Sequence, residues 1–333
     1  MATVEPGFHE RRADGIAIRD LGLAIEGTRL QPIVAAFVEE LRQRGLTLLQ
    51  PRFYLSTEWG VSFGTIAIAI PFYLARPELA AMHAERTGMV EGFDAHDLLR
   101  YLRHEMGHVV NYAYRLYERK EWVQAFGAIT QPYVEEYRPL PFSKRFVRHL
   151  PGWYAQKHPD EDWAETFAVW MTPDHDWRAE YGDRPTALGK LELCDRIVRE
   201  VSALAPLVTD EELDEDVATL HYSLDEFYRG WETAGGELPP GLDGSLRATF
   251  RGAGDRRAAA LIGRLESPMC TEIYRWTGHF PERTRPLVRH LRRRAEVLGL
   301  SYAGADEPRI VVALTALVTA LAMNHVHHGS YLP

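Results

Sequence analysis

A chain of 333 residues, 46% of them hydrophobic, is long enough for two domains that each bury a core. Its formal net charge of -9 argues against general binding to nucleic acid or to an anionic membrane, and Cys194 and Cys270 lie too far apart to suggest a zinc ribbon or a disulfide framework. Residues 1–20 lack the apolar core of a secretion signal, and the longest apolar run, residues 310–323, is short for a bilayer span, so the expectation is a cytoplasmic protein.

Along the chain, residues 32–44 read as an amphipathic helix with Pro32 near its start and Gly45 just past its end. Residues 46–56 and 64–74 are rich in aromatic and branched side chains and read as strands. Within the second, Thr65-Ile66-Ala67-Ile68-Ala69-Ile70 alternates, which places three isoleucines on one face.

The next helix is capped by Asp94 and carried forward by Leu98, Leu99, Tyr101, Leu102, Val109, Val110 and Tyr112. It contains His104-Glu105-Met106-Gly107-His108. Positions four apart share a helix face, so both imidazoles can reach one metal with Glu105 beside them. Zinc suits two neutral imidazoles plus a carboxylate, leaving a fourth position for a water whose pKa the metal lowers. Glu105 is then the expected general base.

Residues 121–152 are rich in proline and aromatics, and so long a segment is expected either to shape a cleft or to close the core. The third ligand is expected in the stretch from Tyr154 onward. Pro159 and Asp160 suit the opening of a helix on which Glu161 and Glu165 fall one turn apart on the same face. One of the two can bind metal while the other supports a ligand, and Asp162 is the weaker choice. Single histidines are read as solvated or structural; His158, between Tyr154 and Glu161, is read as structural or solvated with a cleft-lining contact to substrate as its alternative, and His325, His327 and His328 as the end of a helix.

The two segments together resemble the gluzincins, and in particular the bacterial group called putative zinc-binding metallopeptidases, with HExGH followed by a segment of the form YAxxxPxEDxAExFA. The resemblance implies that His104, His108 and Glu161 hold Zn2+, that Glu105 is the base, that Glu165 orients a ligand histidine and that Tyr154 stabilises an oxyanion. It also implies a sheet before the HExxH helix whose edge strand pairs with substrate, with the strand at residues 64–70 as that edge or its neighbour. The match extends to about residue 232, and only the HExGH and EDWAETFA segments in it are specific.

Helical patterns follow at residues 186–204 and 223–231, and the Gly/Pro-rich run at residues 235–241 is the best boundary in the chain. Beyond it, residues 258–265, 281–298 and 308–326 read as helices of a small bundle without a chemical constellation. The expected architecture is therefore α+β: a zincin-like domain over residues 1–235, with a small sheet, an HExxH helix and a Glu helix, followed by a helical extension over residues 242–333. The expected function is zinc-dependent hydrolysis of a peptide or protein substrate. The alternatives are a zinc-stabilised scaffold and a maturation protease dedicated to one partner. The extension is a candidate surface for a partner or for self-association, and a chain ending near Gly236 is expected to keep its fold and zinc unless residues 310–323 pack on the catalytic part.

Overall fold

The computed structural model describes residues 15–134, 137–232, 241–251 and 254–332. Most of the boundary run at residues 235–241 lies outside them. The protein is mostly helical with two small sheets, an arrangement compatible with α+β.

The first helix, α1 (Leu30–Gln43), buries Leu30, Phe37 and Leu41 at helical spacing. Two parallel strands follow, β1 (Arg52–Ser56) and β2 (Ala67–Pro71), paired from Arg52 with Ala67 to Ser56 with Pro71. Both are shorter than their apolar runs: Pro51 lies just ahead of β1, Ile66 N–H is taken by Asp210 O at 2.7 Å, and Phe72–Ala75 tightens into a 3-10 turn. The connection between the strands wraps round to the far edge of β2, where Ala69 N donates to Gly60 O at 2.8 Å in an antiparallel bridge. The strand read as a substrate edge or its neighbour thus has Gly60 on that edge.

Next come α2 (Pro77–Thr87), which the sequence reading missed, and α3 (Ala95–Ala113), whose N-cap Asp94 accepts from Asp97 N at 2.8 Å. After the short α4 (Lys120–Phe126), the described residues run without regular helix to a 3-10 turn at Pro151–Gln156. It then enters α5 (Pro159–Met171), which is buried on every side. The short α6 (Trp177–Glu180), α7 (Pro185–Val201) and α8 (Leu224–Glu232) complete this part.

α3 and α5 lie side by side, and Gly107 is what lets them touch. A Cβ there would stand 2.7 Å from Ala164 Cα, and Trp163 Nε1 donates to Gly107 O at 2.8 Å. The glycine costs roughly 1 kcal/mol of helix propensity, which the close packing offsets. Gly107→Ala is expected to force the helices apart, with a loss of about 1–3 kcal/mol and a lower melting temperature. An unchanged thermal melt would refute this account of the glycine.

The C-terminal part comprises α9 (Asp243–Thr249), β3 (Arg256–Arg257), α10 (Ala258–Thr277), α11 (Pro281–Val297), β4 (Ser301–Tyr302) and α12 (Glu307–His328). α10 continues through Pro268, beyond the expected end at Leu265, and β3 with β4 forms an unexpected antiparallel pair. α12 is also longer than its apolar run and passes, by length and composition, for a membrane-crossing helix. One face of it, including Ile310, Leu314 and Val318, is buried in the bundle core.

Among the described residues, beside a small cluster of Tyr54, Ala67 and Ala69, two large hydrophobic cores result, one spanning Ile18 to Tyr228 and the other Leu242 to Tyr331. The seam between them is specific. Buried Arg285 bonds Glu85 O across it and pairs with Glu266 at 2.7 Å; Ser267 Oγ donates to Gly88 O at 3.2 Å. The end of α10 packs on residues 148–154, with Arg148 Nη2 donating to Arg275 O at 2.7 Å and Trp153 Nε1 to Trp276 O at 3.1 Å.

Candidate metal centre

The helical register of α3 turns His104 and His108 towards α5, and the register of α5 brings Glu161 up to meet them. His104 Nε2 lies 3.0 Å from Glu161 Oε2, His108 Nε2 lies 3.3 Å from the same oxygen, and the two Nε2 atoms are 3.3 Å apart. Ligand atoms on a tetrahedral zinc at about 2.0–2.1 Å stand roughly 3.3 Å from one another, so this triangle fits the ion. The three side chains are the one His/Cys/Asp/Glu group among the described residues that could hold a metal.

A second layer of acids fixes the imidazoles. Fully buried Glu165 accepts from His104 Nδ1 at 3.0 Å, from His149 N at 2.6 Å and from Leu150 N at 2.9 Å. Two backbone donors thus orient the carboxylate that holds His104 in one tautomer. Asp160 Oδ2 stands 3.0 Å from His108 Nδ1 without a well-aligned hydrogen bond. Asp160 is itself fixed by Asn111 Nδ2 at 2.7 Å and by the Tyr112 hydroxyl. Sequence reasoning took Asp160 only as a helix opener and missed its place beside His108; the available signal was the Asn111-Tyr112 pair one turn beyond that histidine.

Tyr133 was also missed. From the irregular segment before α5 its hydroxyl donates to Glu161 Oε1 at 2.7 Å and lies 3.3 Å from the Tyr154 hydroxyl. That leaves Oε2 as the Glu161 oxygen facing the imidazoles. The Tyr154 ring stands 5.6 Å from the His104 ring. His158 caps α5 through Nδ1, with its Nε2 3.0 Å from Gln131 O, so its contacts are structural. Asp162 points away, into an ion pair with buried Lys190. Glu105 belongs to neither the triangle nor its supports; it lines a cleft of about 670 Å³ with the imidazoles, Tyr112, Tyr133 and Tyr154.

The electrostatics are those of a cation site. Desolvation by itself would lower both imidazoles, but the bonded Glu161 and Glu165 raise His104 to about 9, and Asp160 with Glu161 holds His108 well above its usual range. Burial pushes Glu161 upward, yet the two histidines hold it well below the carboxylate range. Desolvation raises Glu105, with the histidines opposing. Buried carboxylates in this number require positive charge nearby, which protons or a divalent ion can provide.

Zinc titration of two variants tests the assignment within α5. Glu161→Ala is expected to lose most of the metal, whereas Glu165→Ala should weaken binding by about 10 to 100-fold, as changes to a group supporting a ligand do. Equal or reversed losses would transfer the ligand role to Glu165.

Residues 53–181 match the family model described as putative zinc-binding metallo-peptidase, a stretch that runs from β1 through both motif helices. Neither a curated protein nor a solved structure matches the chain. The matched family is described as zinc-binding, and the His-His-Glu group that could hold a metal lies within the matched residues.

Proposed function

We propose that the protein is a zinc-dependent peptidase of gluzincin type, with His104, His108 and Glu161 as metal ligands and Glu105 as general base. The observation that carries this reading is the convergence of the three ligand atoms within 3.3 Å of one another at the wall of a cleft that Glu105 also lines. Zinc bound there supplies a Lewis acid that lowers the pKa of water and polarises the scissile carbonyl.

The chain's own residues do the rest. Glu105, raised by burial, takes a proton from the attacking water and returns it to the leaving amine. Tyr154, uncharged because burial raises its phenol further, donates to the oxygen on which charge develops. Glu165 and Asp160 hold the imidazoles; Tyr133 holds Glu161 to one oxygen. A zinc-stabilised scaffold fits less well, because a structural site fills four positions and has no use for Glu105 beside an open cleft.

Metal analysis together with digestion of an unbiased peptide library tests the reading, and zinc without cleavage would favour the scaffold. Within the same assay Tyr154→Phe is expected to retain zinc and to lower kcat by about 10²-fold, the loss typical of one oxyanion donor. Unchanged kcat would remove Tyr154 from the mechanism.

A further inference from the structure

The cleft is electrically lopsided. Five carboxylates line it, those of Glu58, Glu91, Glu105, Asp160 and Glu161, and among the described residues no lysine or arginine does. A divalent cation at the triangle leaves that wall net negative. Phe63, Ile129, Thr130 and Gln131 also line the cleft and carry no charge.

Glu91 has an aromatic setting. Its carbonyl accepts from Trp59 Nε1 at 3.3 Å. Trp59 stacks on Tyr101 with centroids 5.3 Å apart, and Tyr274, contributed by α10 across the seam, lines the same cleft. Burial pushes Glu91 up to about 7, neighbouring Tyr101 opposes this, and Glu282, Asp97 and Glu105 push it further up. A carboxyl beside π faces is the chemistry that receives a cation. A second group makes the same demand: Glu105 is only 5% exposed, lines the cleft and has no hydrogen-bond partner among the described residues.

We propose that the Glu91 end of the cleft receives the cationic group of a peptide substrate, an ammonium or a guanidinium, seated against Trp59, Tyr101 and Tyr274. The proposal rests on the peptidase reading and names its substrate class. Two sources share this chemistry, a free α-amine and a lysine or arginine side chain.

The test begins with binding, which needs no turnover. The zinc-loaded full chain is titrated at pH 8 with benzamidine, an amidinium, and with acetophenone, its neutral isostere. Benzamidine is expected to bind at least about 10-fold more tightly, consistent with a charge-assisted hydrogen bond. Glu91→Gln is expected to abolish the difference and Glu91→Asp to retain most of it, with melting temperature and zinc content as controls for folding. Equal binding of the two probes to the wild type overturns the proposal even if Glu91→Gln does not fold, and so does an undiminished preference in a folded Glu91→Gln.

Peptide libraries with free and acetylated N-termini then separate the sources. Loss of cleavage on acetylation identifies the α-amine, and enrichment of lysine or arginine at one subsite in both libraries identifies the side chain. Cleavage indifferent to both overturns the proposal. No cleavage of either library, with benzamidine binding still dependent on Glu91, upholds the cation site and removes the peptidase reading instead.

Discussion

Glu105→Gln is expected to bind zinc as the wild type does and to lower kcat by about 10³-fold, within the range set by removal of a general base. The metal should stay because His104, His108 and Glu161 make up the triangle without Glu105. Hydrolysis should fail because an amide of the same shape cannot accept the proton of the attacking water. The substitution also removes a carboxylate that desolvation already penalises, so the variant is expected to be at least as stable to heat. Elemental analysis, a turnover assay and a melting curve on one preparation check all three statements. Undiminished turnover with zinc in place would exclude Glu105 as the base.

A chain ending at Gly236 is expected to aggregate or to lose most of its zinc affinity, the reverse of what the Gly/Pro-rich run suggests. The reason lies at residues 148–154. Gly152 and Trp153 both have left-handed backbone, with φ of 79° and 63°, and for a tryptophan this costs about 1–2 kcal/mol. The strained turn is held from the C-terminal bundle. A Cβ at Gly152 would meet the Tyr274 ring at 2.6 Å, Trp153 donates to Trp276 O, and Arg148 lies 4.1 Å from the Trp153 ring and 4.8 Å from that of Trp276.

That turn supplies the His149 and Leu150 amides that orient Glu165, and it leads directly into Tyr154. Without α10 the supports of His104 go slack, and affinity for zinc is expected to fall by about 10 to 100-fold in whatever fraction stays folded. Size-exclusion chromatography, thermal melting and zinc content of the shortened chain measure this. A monomer with wild-type melting and zinc would show that the two cores are independent.

Much of the candidate centre was legible because helix periodicity converts spacing into geometry. His104 and His108 four apart, Glu161 and Glu165 four apart, Asp94 before one helix and Pro159 at the start of another are local signals, and each was found where periodicity and capping put it. Gly107 was legible only as a letter of the motif. Its packing reason, the contact with Ala164, exists only once two helices more than fifty residues apart are brought together.

What the sequence by itself determined is therefore the two motif helices and the facing pairs on them, since both follow from short-range backbone geometry. The tertiary structure alone decided which carboxylate meets which imidazole: Asp160 beside His108, Glu165 beside His104, and Tyr133 on the free oxygen of Glu161. It alone placed Gly60 on the edge of β2 and Tyr274 of the C-terminal bundle in the wall of the cleft. These pairings join residues distant in the chain, and they depend on helix crossing and burial, which no local pattern encodes.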